Sequence, residues 1–206
     1  MATTVDVATL GRCTVDGASV VNRRAVELAA LIALSNGCVH RDRVVVELFE
    51  AEPAPSSLPT LAMRARKAGV PVRYDKRRAC YTLGEGVRFD VLDLLRLVRE
   101  GRLDEALDRY TGPFLPTSHS PFAADTRADV EGAVVRAVLL RGDVGLMTRA
   151  DRMIKHPELS EELIRRGADP ATVSLSRSWL SALAGPAVPV HMASRGASGS
   201  GGRRRA

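Results

Sequence analysis

Val5, Val7 and Thr9 alternate with Asp6 and Ala8, and a period of two predicts a short strand. Thr14–Val15 and Ser19–Val21 flank Asp16–Gly17, a pair suited to the positive φ angles of a tight hairpin turn. Residues 23–35 are apolar almost all round, which predicts a buried helix ended by Asn36–Gly37 in the left-handed region. A second helix is expected over 41–50, with Val44, Val45, Leu48 and Phe49 inward and Asp42, Arg43, Glu47 and Glu50 outward. Ala-Glu-Pro-Ala-Pro at 51–55 stops it.

A third helix starts near Ser57, where Pro59 fits only in the first turn. Leu58, Leu61, Ala62 and Ala65 recur at helical spacing, leaving Thr60, Met63, Arg64 and Lys67 on the other side. Residues 70–74 and 79–83 then read as two strands around the charged turn Asp75-Lys76-Arg77-Arg78, with Pro71 at an edge or strand start.

From residue 89 the pattern is helical throughout. Val91–Glu100 and Leu103–Tyr110 are amphipathic segments joined at Gly101, with Leu95, Val98, Ala106, Leu107 and Tyr110 as their expected core. Ser120–Pro121 is an N-cap with Pro at the first helical position. It opens a long helix through Phe122, Thr126, Val130, Val134 and Val138 to Arg141. Shorter helices are expected at 143–153, 158–166 and 174–184. The first pair looks like one tetratricopeptide unit, without a clear repeat at that period. Residues 185–206 are rich in Gly and Ser, end in Arg203-Arg204-Arg205-Ala206, and are expected to be disordered.

Charge sharpens this division. Residues 1–88 carry 13 basic against 9 acidic residues, 89–184 carry 13 against 15, and 185–206 carry four arginines and no acid. Arg64, Arg66, Lys67, Arg73, Lys76, Arg77 and Arg78 crowd between Ser56 and Arg78, opposed only by Asp75. A cation cluster of this kind is the footprint of a polyanion partner, although an isolated charge run is more often a solvated face. Here the cations converge on one helix and the hairpin turn after it. The order strands, three helices, basic hairpin is that of a winged helix-turn-helix, in which a helix enters the major groove and the hairpin reaches adjacent phosphates. The expected fold is thus an α+β winged helix-turn-helix domain over 1–88, an all-α tetratricopeptide-like domain over 89–184, and a tail over 185–206.

Other chemistries find no support in the residues. No phosphate-cradling Gly-rich loop, dinucleotide fingerprint or paired-His metal motif occurs. His40, His119, His156 and His191 are scattered, and Cys13, Cys38 and Cys80 suit neither a disulfide framework nor a zinc site. The chain is therefore expected to be no enzyme and to need no cofactor or metal. No apolar run approaches the about 18 residues of a membrane span, and the first residues lack a secretion signal, so a cytoplasmic protein with reduced thiols is expected.

Several stretches in shared order carry a family resemblance. They are Leu10–Gly11, the helix end Leu34-Ser35-Asn36-Gly37, Val39-His40-Arg41-Asp42, Leu48–Phe49, Arg64-Ala65-Arg66-Lys67 and Tyr81-Thr82-Leu83. Residues 5–83 on this basis resemble the OmpR-type winged helix of the Streptomyces antibiotic regulatory protein (SARP) activators of actinobacteria. Asp90, the run Ala106–Pro116 and Arg127 resemble that family's bacterial transcriptional activation domain, a tetratricopeptide-like module. Ala65 stands where the family has Leu, and Ala79–Cys80 where Gly commonly precedes the wing Tyr. The resemblance implies a transcriptional activator that binds direct repeats in double-stranded DNA as a side-by-side homodimer. It also implies a contact with RNA polymerase, which the 50–56 loop could make. Thr60, Met63, Arg64, Arg66 and Lys67 would face the major groove, Arg66 packing at its edge, and Arg73, Lys76, Arg77 and Arg78 would meet phosphates. The alternative is a protein-interaction adaptor whose winged helix no longer binds DNA.

Overall fold

A computed structural model describes residues 4–185, so the expectation for the arginine tail lies outside the described residues apart from Gly185. The chain is mixed α/β. Its first part holds three helices and two small sheets, and its second part is helical. The first sheet begins with β1 (Val5–Ala8), β2 (Thr14–Val15) and β3 (Ala18–Ser19). Asp16 and Gly17 both take positive φ, 48° and 77°, which gives the expected tight turn. Val20 and Val21 lie outside β3, and Thr9 lies outside β1.

Helix α1 (Arg23–Leu34) is capped by the Asn22 side chain, which accepts from the Ala25 amide. Its residues 25–32 are all buried, as the unbroken apolar pattern requires. Asn36 and Gly37 follow at φ 58° and 82°. A strand that the pattern does not reveal, β4 (Cys38–His40), comes next and leads into α2 (Arg41–Leu48). Helix α3 (Ser57–Lys67) buries Leu58, Leu61, Ala62 and Ala65, as predicted. The hairpin β5 (Val72–Asp75) and β6 (Cys80–Leu83) begins two residues later than predicted, since Val70 and Pro71 precede it. β6 is the centre of a β4-β6-β5 antiparallel sheet.

A second unpredicted strand, β7 (Val87–Phe89), pairs in parallel with β1, setting Val7 beside Phe89. It spans the 88/89 division suggested by charge. Helix α4 (Asp90–Arg99) starts immediately after it and packs on α5 (Leu103–Arg109). The buried line of α4 is Val91, Leu94 and Leu97; Leu95 and Val98 are only half-buried, so the predicted inner face is off by one position. Helix α6 (Pro121–Arg141) opens at the predicted cap, with Ser120 Oγ accepting from the Ala123 amide. It touches α2, α4, α5, α7 and α8, making it the spine of the second part. Thr126 on it is half-buried. Helices α7 (Val144–Met153), α8 (Pro157–Arg165) and α9 (Pro170–Ala184) follow, α9 beginning four residues before its predicted start. Buried Asp151 clasps α7 to α8 by accepting from Lys155 Nζ at 2.6 Å and Ser160 Oγ at 2.9 Å. Among the described residues no helix is long and apolar enough to cross a membrane.

The densest polar joint ties residues 9–11 and α1 to α4 and to the segment 111–120. The Asp90 carboxylate accepts from the Thr9 amide and hydroxyl, the Leu10 amide and its own neighbour Val91, at 2.6–3.0 Å. Thr111 Oγ1 donates to the Leu10 carbonyl at 2.7 Å, and the Gly11 and Leu115 amides donate to Pro113 and Thr9 carbonyls. Gly11 (φ 68°) and Gly112 (φ 145°) pass so closely that a Cβ on Gly112 would lie 2.8 Å from the Gly11 Cα. Buried Glu27 of α1 accepts from the hydroxyls of Ser118 and Ser120. Arg127 closes the joint by donating to the carbonyls of Leu115 and Ser118.

Candidate nucleic-acid interface

Helix α3 places the candidate residues on distinct flanks. Successive residues turn by about 100°, so Thr60, Met63 and Lys67 fall on one stripe opposite the buried Leu58–Leu61–Ala62–Ala65 line. Met63 and Lys67 are exposed and Thr60 is half-buried. Arg64 sits on one edge of this stripe. It shares a polar recess with Thr60, Ser56, Ser57 and Arg24, and with Lys67 it borders a cleft of about 510 Å³ faced by Val20 and Val21. Arg66 sits on the other edge, where Nη1 donates to the Val72 carbonyl at 2.8 Å. The guanidinium of Arg66 thus fastens α3 to the start of β5. The three cations Arg64, Arg66 and Lys67 occupy the last turn of α3, where they complement the helix dipole.

The hairpin carries the rest. Val72 and Tyr74 share one face of β5, where buried Val72 enters the core and exposed Tyr74 meets buried Tyr81 with ring centroids 4.8 Å apart. Arg73 and Asp75 therefore lie on the outer face, paired in register with Thr82 and Cys80. Asp75 ends β5, and its Oδ1 accepts from the Arg77 amide at 2.9 Å and the Arg78 amide at 3.4 Å. That one carboxylate in the basic run shapes the turn, which fans Lys76, Arg77 and Arg78 into solvent. Ala79 closes the turn at φ 49°, and its carbonyl accepts from the Arg41 amide at 2.8 Å, docking the hairpin tip on the start of α2. His40 caps α2 by accepting from the Asp42 amide.

Of the seven cations, Arg78 alone has a carboxylate partner among the described residues, Asp75 at 4.0 Å. The ion pairs elsewhere contrast with this. Arg88 on β7 and Arg96, Arg102, Arg149, Arg165 and Arg166 in the helical part are paired with acids. Arg165 and Arg166 hold the Glu162 carboxyl down at about 2. Six cations crowded on α3 and the hairpin thus have no carboxylate partner among the described residues, which leaves them open to an external anion. Arg41 adds to them beside the tip, a residue the sequence pattern had assigned only to the start of a helix. No group of three or more His, Cys, Asp or Glu side chains suited to a metal occurs among the described residues.

No protein-family model matches the chain, and no curated protein sequence matches it.

Proposed function

We propose that the chain is a DNA-binding transcriptional regulator, with α1–α3 and the β4-β6-β5 sheet acting as a winged helix and α4–α9 as a tetratricopeptide-like module. The observation that carries this reading is the clustering of seven cations on α3 and the hairpin, six of them without a carboxylate partner among the described residues. Thr60, Met63, Arg64 and Lys67 would read the major groove. Arg73, Lys76, Arg77 and Arg78 would contact phosphates, which position a protein without reading sequence. By family resemblance the regulator would activate transcription, pair as a homodimer on direct repeats, and touch RNA polymerase through the 50–56 loop.

The test is a binding-site selection on two variants. Arg77→Ala/Arg78→Ala should weaken all sites alike and lower the salt slope by about 1 for each lost contact. Arg64→Ala should relax preference at one base position, at about 1–3 kcal/mol. Even weakening by Arg64→Ala together with a changed consensus in the hairpin variant would reverse the assignment of reader and clamp.

One observation favours a protein-docking reading instead. The cleft beside Arg64 and Lys67 is lined by Val15, Ala18, Val20, fully exposed Val21 and Ala68, a surface that would seat an apolar side chain of a partner. Absence of duplex binding by the full chain at low salt would select this adaptor.

A further inference from the structure

Two of the three cysteines meet on the hairpin sheet. In the β4–β6 register Cys38 is opposite Thr82 and His40 is opposite Cys80. Cys38 and Cys80 are therefore diagonal neighbours on one face, and their two thiols lie within hydrogen-bonding reach of each other. That face is the solvent side, since Val39 and Tyr81 between them point into the core. Cys38 is exposed and Cys80 half-buried. Cys80 Sγ donates to the Arg78 carbonyl at 3.1 Å, so this thiol is a direct support of the cationic turn. Cys13, by contrast, is half-buried on the other sheet's hairpin with no cysteine beside it.

We propose that Cys38 and Cys80 form a reversible thiol–disulfide pair that responds to hydroperoxides and acts on the hairpin tip. Burial and the adjacent Cys38 thiol push the Cys80 thiol up from its ordinary value. Cys38 is then the sulfur that meets the oxidant and Cys80 the one that resolves it. The Cys38 thiolate attacks one peroxide oxygen; an S–O bond forms, the O–O bond breaks, and the hydroxide released takes up a proton as water. Cys80 sulfur next attacks the Cys38 sulfenic sulfur; the S–S bond forms, the S–O bond breaks, and a second water leaves with the Cys80 proton. Two thiols lose two electrons and one hydrogen peroxide becomes two waters. Disulfides favour close Cβ atoms, so a diagonal bridge must draw β4 and β6 together, and strained, exposed bridges of this kind are the easily reduced ones. Closure also removes the Cys80 donor from the Arg78 carbonyl, loosening the turn that presents Lys76, Arg77 and Arg78.

The thiol pair itself does not depend on the DNA reading, and the test keeps the two apart. The full chain is treated with hydrogen peroxide, its free thiols are alkylated, and intact mass and non-reducing peptide maps are recorded. Alkylatable thiols should fall from three to one, with a cross-link between the peptides holding Cys38 and Cys80 and recovery of all three after a dithiol reductant. Cys13→Ser should close the same bridge, and Cys38→Ser and Cys80→Ala should each abolish it while keeping the native circular dichroism spectrum. Amide exchange at residues 76–79 should accelerate on oxidation, whether or not DNA is bound. The proposal is overturned if peroxide converts Cys38 to sulfinic acid without a cross-link. It is equally overturned if the cross-link joins separate chains, or if the turn amides exchange at unchanged rates once the bridge has closed.

Discussion

Replacing Asp90 by alanine should be among the most damaging single changes in the molecule. The carboxylate holds four donors, three of them on residues 9 and 10 more than 79 positions away in sequence. Thr9 and Leu10 have no exposed surface, so water cannot readily replace the lost acceptor. Each buried donor left unsatisfied costs about 1–3 kcal/mol. The Val91 amide lies at a helix start and can turn to solvent. Three stranded donors, eased by some water entering the vacated space, give an expected loss of about 3–5 kcal/mol. That is a large share of the about 5–15 kcal/mol that stabilises an ordinary domain. Urea unfolding of the full chain, followed by circular dichroism and by the fluorescence of Trp179 in α9, measures it. In the unaltered chain the two probes should give one midpoint, because the Asp90 joint couples the first part to the helices. In Asp90→Ala the midpoint should fall and the probes should separate. Thr9→Val added to Asp90→Ala should cost less than the two single losses together, since both remove the same hydroxyl bond. A loss under about 1 kcal/mol with coincident probes would refute the view that this carboxylate holds the two parts together.

Three further outcomes follow from particular contacts. Gly112→Ala should destabilise by several kcal/mol, of order 3 or more, because its Cβ would strike the Gly11 backbone and its φ is 145°; thermal unfolding reads this. Ala79→Gly should raise stability by about 0.5–1 kcal/mol in the same assay, since a non-glycine residue at φ 49° carries strain that glycine relieves. Acid unfolding should draw on Glu162, whose folded value near 2 lies below its ordinary one. Its contribution is therefore full above the ordinary carboxylate range and disappears as pH falls toward 2, and Glu162→Gln should flatten that part of the pH–stability curve.

Elements with a local chemical signature were legible in the sequence. Asp16–Gly17, Asn36–Gly37 and Ser120–Pro121 each fix a turn or cap within a few residues, and all three stand where the pattern put them. β4 and β7 were not legible, because three-residue strands have too few positions for a period to show. Their partners, β6 and β1, are also at least 40 and more than 80 residues away. The α4 face was misjudged by one residue because Val91, Leu94, Leu95 and Val98 also fit a helical period. Glu27 has no local signature of its role, since its serine partners lie 91 and 93 residues on. For the candidate interface, local sequence found the cations, but only packing separates Arg66, bonded to the Val72 carbonyl, from Arg64 and Lys67, which face outward.

Salt-dependent binding of duplex DNA tests the central claim most directly. The full chain with Arg203, Arg204 and Arg205 replaced by Ala excludes the tail arginines as the source of binding. Fluorescence anisotropy on a labelled duplex, from about 50 to 200 mM salt, then reports cations outside the tail, and the hairpin variant isolates the hairpin's share. The four phosphate contacts of Arg73, Lys76, Arg77 and Arg78 should give a log–log slope of about −4, and Arg77→Ala/Arg78→Ala should bring it to about −2. A folded chain that fails to bind at about 50 mM salt, or whose slope is unmoved by the hairpin variant, would contradict the assignment.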